Sequence, residues 1–394
     1  MTDIPKGFHF ATAAAGFKKP GRDDLALIAS DRPAAAAGVF TKNLFQAAPV
    51  LQCKAMLART DRASAFLVNS GQANASTGEE GLNRCRETLN MVGKATGLPA
   101  DEILPASTGV IGPQLIMEKW EAAVPALADT LGKASPEDAA KAIMTTDTVH
   151  KLASATVTLS GGTVRLLGMC KGAGMICPNM ATMLGFICCD ADVSPGRWRD
   201  MLAGCALKTF NHITIDGDTS TNDCVMGLAN GASGVAVESD MDLDLLEQAL
   251  MDLCRDLAYM IVRDAEGGTK VAHISVSGAM DDKQAELVAR AVGHSPLVKT
   301  ALFGCDPNWG RITAAAGRSG AMFDPSKLVL TIGGIAIYEN GGPVSGDMDV
   351  LLEPVMAEAD IEIGIDLGAG EGKYTLLASD LSREYVSINA DYRS

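Results

Sequence analysis

The chain has 394 residues, 47% hydrophobic and 21% charged, the composition of a globular protein with room for one large and one smaller core. Its 48 acidic residues against 33 basic ones leave a formal charge of −15, a field that repels phosphate backbones and anionic membrane surfaces. Nucleic acid and membrane are therefore not expected as partners. Ten cysteines without a CxxC pair, mostly in apolar surroundings, read as reduced buried thiols of a cytoplasmic protein. The start, MTDIPKGFHF, lacks the apolar core of a secretory signal.

In chain order, Ala35–Phe40 and Ser64–Asn69 are compact apolar runs that predict strands. Glu79–Thr96 predicts an amphipathic helix stopped by Gly97, and Ser135-Pro136 opens another with Asp138 completing a capping box. Ala153–Leu159 and Thr163–Met169 flank Ser160-Gly161-Gly162 and predict a hairpin. Thr182–Cys189 is β-prone and apolar throughout, as in a sheet covered on both faces. The uncharged run 172–189 approaches membrane-span length, but its glycines and Pro178-Asn179 predict a buried loop and strand instead. Ser194-Pro195 starts a helix to about Lys208. Leu243–Arg263 predicts a long helix, Thr269–Gly278 a strand, and Asp281–Val292 and Leu297–Phe303 two more helices. The last hundred residues are richer in short strands, among them Leu328–Ile332 and Asp360–Ile365. These elements predict an α+β layered fold, with a boundary near Gly278–Gln284 if a second domain is present.

The candidate chemistry centres on Lys171–Phe186, KGAGMICPNMATMLGF. Thr182 follows the small Ala181 and opens the apolar run. Cleavage before it would free an α-amine with a pKa near 7.7–8.0, able to activate the Thr182 hydroxyl. Lys171, the lone charge beside this run, suits a substrate carboxylate. Ser107–Gly112, STGVIG, predicts a turn in which Thr108 and Gly109 offer a hydroxyl and N–H groups to an oxyanion. Thr145-Thr146-Asp147-Thr148 reads as a polar cluster ending a helix. Asp216, Asp218 and Asp223 in FNHITIDGDTSTND suggest a hard-cation site or a self-bonded turn. Glu266, at a helix C-terminus that disfavours carboxylates, is a candidate for a ligand cation.

Taken in order, these segments resemble the ornithine acetyltransferase family, the ArgJ-type enzymes of arginine biosynthesis. The resemblance runs through Gly21–Asn43, Val68–Gly78 (VNSGQANASTG), Ser107–Gly112, Thr145–Thr148, Lys171–Leu184 and Asp216–Asp223. DAEGGTK, DPNWGRI at Asp306–Ile312 and INADYRS at Ile388–Ser394 complete it.

The resemblance implies an αββα-type sandwich, of the class shared with self-cleaving aminopeptidases, and a smaller second domain. The division expected is 1–280 for the main catalytic domain and 281–394 for a C-terminal α/β domain whose tail returns to the active site. It implies self-cleavage between Ala181 and Thr182, with α and β chains associated as α2β2 or larger. Thr182 would take acetyl from N2-acetylornithine and pass it to glutamate. Thr108 and Gly109 match the oxyanion-hole positions. Thr145, Lys171, Thr182, Glu266, Asn389 and Ser394 match those assigned to substrate binding.

No cofactor or metal is implied, while acetyl-CoA as a second donor stays open. Ser394 stands where Thr is usual, Gln72 where Asn is more familiar, and Ala378-Ser379 where an aromatic residue and Cys are expected. The alternatives are an amidase or aminopeptidase of related self-cleaving fold, and a metal-dependent phosphotransferase using Asp216, Asp218 and Asp223.

Overall fold

The structure is a computed structural model and describes residues 3–18, 21–177 and 183–391. Fifteen strands are present among them: β1 (Phe8–Ala13), β2 (Leu25–Phe40), β3 (Arg62–Gln72), β4 (Ile103–Val110), β5 (Lys151–Leu159), β6 (Gly162–Lys171), β7 (Leu184–Cys189), β8 (Ile213–Thr214), β9 (Cys224–Ala229), β10 (Val271–Ala279), β11 (Val329–Ile332), β12 (Ile335–Glu339), β13 (Gly342–Pro343), β14 (Asp360–Asp366) and β15 (Gly372–Ser379). The helices are α1 (Ala48–Leu57), α2 (Gly78–Thr96), α3 (Met117–Asp129), α4 (Pro136–Ala142), α5 (Pro195–Lys208), α6 (Asp240–Arg263), α7 (Asp282–Gly293), α8 (Pro296–Phe303), α9 (Trp309–Gly317), α10 (Met348–Ala357) and α11 (Arg383–Asp391).

Local chemistry sets many of these bounds. The Ser135 hydroxyl accepts from Asp138 N at 3.1 Å while the Asp138 carboxylate accepts from Ser135 N at 2.9 Å, the reciprocal cap expected at the start of α4. Gly97 ends α2 in the left-handed conformation. β5 and β6 form the expected hairpin, paired from Lys151–Cys170 to Leu159–Gly162.

β1 pairs with β2, and the other strands of the first sheet run in the order β4-β3-β2-β9-β7-β6-β5. β2 holds the sheet together and also folds it. Between Ala29 and Ala34 it advances five residues while its partner β3 advances only two, from Ala65 to Ala63. Such an excess of residues on one strand bends it. One contact establishes the bend. Phe66 lies opposite Ile28, whereas Phe186 is level, through Met226, with Gly38. On a straight strand ten residues span about 33 Å, yet the two rings are 5.3 Å apart. The halves therefore stack face to face. Helices α1–α4 cover the β1–β4 side, and α5 and α6 cover the side built on β5, β6, β7 and β9. The result is the expected αββα sandwich. All six residues of β7 are buried, as predicted, with Phe186 and Cys188 facing one core and Ile187 and Cys189 the other.

The second sheet runs β13-β12-β11-β14-β10-β15-β8, with α7–α10 packed on one face. It draws β8 and β10 from chain positions before residue 280. Among the described residues no helix is long and apolar enough to cross a membrane. All ten cysteines are unpaired, and nine are buried.

Gly227, within β9, marks a close approach of a helix to the sandwich. A Cβ there would lie 2.8 Å from Trp198 Cζ2 and 3.2 Å from Leu202 Cδ2 of α5. Overpacking of this kind costs about 1–3 kcal/mol. Gly227→Ala is expected to lower the thermal midpoint accordingly, measured by circular dichroism.

Candidate active site

The ends of several strands converge where the two halves of the sandwich meet. There a cavity of about 220 Å³ is lined by Thr108, Gly109, Thr145, Lys171, Glu266 and Asn389, every described residue that the resemblance assigns to catalysis or binding. Ala181 and Thr182, at the expected cut, and Ser394 lie outside the described residues. Ile176 and Met183, close to either side of the 178–182 segment, both line the cavity.

Thr108 and Gly109 were expected in a turn, but they sit near the end of strand β4. The strand reaches that far because two glycines touch: a Cβ on Gly109, whose φ is +127°, would fall 2.3 Å from the Gly71 carbonyl carbon on β3. Lys171 is the last residue of β6, its ammonium 3.4 Å from the Thr108 hydroxyl and 3.9 Å from Asp147 Oδ2. The two parts of the site, 63 residues apart in the chain, thus meet at a hydrogen bond.

Asp147 is the hub beneath them. The TTDT cluster does not simply end a helix, because α4 stops at Ala142 and Asp147 is buried. Its Oδ1 accepts from Lys151 Nζ and Gly172 N, each at 2.7 Å, and its Oδ2 from Thr145 N at 2.9 Å. Lys151 also donates to Asp264 Oδ2 at 2.6 Å, and Asp264 accepts from Thr148 N at 3.1 Å and from the Thr148 hydroxyl. Burial works against the Asp147 charge, but Lys171, Lys151 and the bonds from Lys151 and Thr145 hold its pKa well below the ordinary carboxylate value. Burial likewise opposes the Lys151 charge, and Asp147 and Asp264 overcome it, raising that pKa.

Two residues after Asp264, Glu266 faces the cavity. Its N–H donates to Ala173 O at 2.8 Å and its Oε2 accepts from Asn389 Nδ2 at 2.7 Å. Gly174 leaves room for it, since a Cβ there would sit 2.5 Å from the Glu266 carboxylate.

The three aspartates suggested as a cation site do something else. Asp216 takes Met175 N at 2.6 Å, Ile176 N at 2.9 Å and the Tyr385 hydroxyl at 3.1 Å. With Ile215 N on Ile176 O at 2.7 Å and the Thr219 hydroxyl on Cys177 O at 2.9 Å, it clamps the chain just before the 178–182 segment. Asp223 is buried, and its Oδ2 has no partner among the described residues. Burial raises its pKa well above the ordinary carboxylate value, against the opposing pull of Ser220 and Lys171. Asp216 is committed to the chain's own donors, and no cluster of metal-ligating side chains occurs among the described residues. The described residues therefore do not provide the metal site that a metal-dependent phosphotransferase needs.

The model of the ArgJ family matches residues 9–394. The chain belongs to the ArgJ family. It is 57% identical to the arginine biosynthesis bifunctional protein ArgJ of Nitratidesulfovibrio vulgaris over 394 residues, covering 100% of both chains. Its ArgJ relative in Thermosynechococcus vestitus is 46% identical, with 98% of this chain and 96% of the relative covered. Among solved structures, the ArgJ protein of Bacillus halodurans is 37% identical, covering 52% of this chain and 96% of that chain at a TM-score of 0.49.

Sequence reasoning about this ArgJ-family chain missed Lys151, the hub role of Asp147, the buried Asp223 carboxyl and Tyr385. A Lys opening an otherwise half-apolar strand, four residues after an Asp, was the available signal for the first pair.

Replacing Lys151 by Met leaves the buried Asp264 without its cation and Asp147 with only the more distant Lys171, a loss of about 3–5 kcal/mol, to be measured by urea denaturation. Because Asp147 has a lower pKa folded than unfolded, its contribution is present above the ordinary carboxylate value of 3.8 and is lost as pH falls below that. The urea midpoint is expected to fall progressively as pH is lowered from about 4 toward about 2, and to fall less in Asp147→Asn.

Proposed function

We propose that this ArgJ-family chain is a self-cleaving acetyltransferase that moves acetyl from N2-acetylornithine to glutamate, yielding ornithine and N-acetylglutamate in arginine biosynthesis. The observation that carries this reading is the meeting of Thr108, Gly109 and Lys171 in one cavity bordered by Met183, the residue after Thr182. Family membership supports the chemistry.

In the proposed maturation, the Thr182 hydroxyl attacks the Ala181 carbonyl and the acyl group shifts from nitrogen to oxygen. Water then hydrolyses the ester, leaving a free Thr182 amine and an Ala181 carboxylate. In turnover, Thr182 Oγ attacks the acetyl carbonyl of N2-acetylornithine, and its proton passes to the Thr182 amine. The oxyanion is met by the Thr108 hydroxyl and the Gly109 N–H. Collapse breaks the amide bond, the proton goes to the departing ornithine nitrogen, and acetyl stays on Thr182. The α-amine of glutamate then attacks this ester and restores the hydroxyl.

Such a double displacement uses one site twice. Lys171 suits the α-carboxylate that donor and acceptor share. Thr145, Asn389 and Ser394 complete the binding surface in this reading, and Glu266 suits the side-chain ammonium of ornithine. Acetyl-CoA as a second donor, a cytoplasmic location and an α2β2 or larger assembly belong to the same proposal. Strand pairing supports fragments that stay associated. Lys171–Leu166 of β6 pair with Leu184–Cys189 of β7 across the proposed cut, and β2 pairs with β9.

Intact-mass analysis under denaturing conditions is expected to give two fragments, broken between Ala181 and Thr182, and a single chain for Thr182→Ala. Incubation with N2-acetylornithine alone should add one acetyl group to Thr182. Thr108→Ala should reduce turnover by about a hundredfold or more. An uncut wild-type chain that is nevertheless fully active refutes the mechanism, and release of free acetate without transfer to glutamate favours an amidase.

A further inference from the structure

The transferase reading sets a chemical problem that the cavity itself answers. The same place must hold the side-chain ammonium of ornithine in one half-reaction and the side-chain carboxylate of glutamate in the other. Lys171 is the only cationic side chain among the described residues lining the cavity, and the shared α-carboxylate claims it. The remaining ionisable lining groups include the carboxyls of Glu266, Asp216 and Asp218. Such a wall attracts an ammonium and repels a carboxylate unless a donor turns toward the incoming charge.

Helix α11 brings two donors to that wall. Both N–H groups of the Asn389 amide are directed at acceptors, Glu266 Oε2 at 2.7 Å and Tyr385 O at 3.0 Å. Among the described residues the Tyr385 hydroxyl makes one bond, to Asp216 Oδ2 at 3.1 Å. That carboxylate already accepts Met175 N at 2.6 Å, Ile176 N at 2.9 Å and Asp218 N at 3.2 Å. If the phenol turns away, Asp216 stays hydrogen-bonded and no buried acceptor is orphaned. No side chain of α11 is fully buried, so the turn disturbs no core packing. Burial, with Asp216 and Glu266 nearby, pushes the Tyr385 pKa up, so the hydroxyl keeps its proton.

We propose that Tyr385 determines acceptor specificity: its O–H leaves Asp216 to donate to the side-chain carboxylate of glutamate, where the ornithine ammonium sits in the other half-reaction. The proposal rests on the transferase reading above.

The test compares wild-type and Tyr385→Phe enzymes after self-cleavage, one half-reaction at a time. Acetyl-enzyme formation from N2-acetylornithine is followed by intact mass. Transfer from the acetyl-enzyme is then followed against glutamate, and against norvaline, which lacks the side-chain carboxylate. In Tyr385→Phe, kcat/KM for glutamate is expected to fall about tenfold or more, the loss of one hydrogen bond to a charged group. The fall with N2-acetylornithine should be several-fold smaller, and with norvaline the two enzymes should agree within about twofold. An undiminished glutamate reaction, or equal losses with glutamate and norvaline, overturns the role of Tyr385 alone. A wild-type enzyme that forms no acetyl-enzyme overturns the transferase reading itself.

Discussion

A single buried ammonium organises this protein. Lys151 lies between Asp147 and Asp264 with no solvent contact, and each carboxylate then reaches onward to a different segment. Asp147 holds Thr145 and Gly172, and Asp264 holds Thr148 two residues before Glu266. Desolvating three charges is costly, and an apolar cluster of the same volume is as good or better for stability alone. What the ions supply is direction. Their hydrogen bonds place the residues flanking Lys171 and Glu266 at fixed separations, which an apolar cluster cannot do.

The bend in β2 supplies the second constraint. It turns one hydrogen-bonded sheet into two stacked layers, bringing the end of β4 against the starts of β7 and β9. Asn222 fastens the junction, its amide donating to Ala73 O at 2.6 Å and Ser107 O at 2.9 Å. Without the bend, Thr108 and Lys171 lie on opposite ends of a flat sheet. The cavity is thus a product of backbone geometry, and its walls come from segments as far apart as Ala73 and Asn389.

Features that depend on neighbouring residues were legible in the sequence. The Ser135 cap, the Gly97 stop, the hairpin after Leu159 and the doubly buried β7 all follow from local pattern. So did the identity of the residues lining the cavity, through ordered motifs. Their convergence was not legible, because nothing in spacing brings Thr108 to Lys171. Ala35–Phe40 reads as a separate strand, since Asp31-Arg32-Pro33 interrupts the apolar run where β2 bends. Asp147 reads as polar punctuation because its partner Lys151 is masked by the strand it opens. Asp223 gave a misleading signal, an acid among acids whose side chain is buried away from any cation site. Tyr385 sits on a helix that buries no side chain, so no hydrophobic period betrays it.

The interleaving of strands has a consequence for the order of events in the life of the molecule. β7 and β9 lie between β2 and β6, so one layer draws on chain from both sides of the 178–182 segment. Neither piece alone owns a complete surface on which to bury Leu184–Cys189. Under the proposed scheme, assembly must come first and the cut second. The amine that the chemistry needs is then made only by copies that have closed the sandwich. In that scheme misassembled copies remain without a nucleophile, and maturation would double as a proofreading step for the fold.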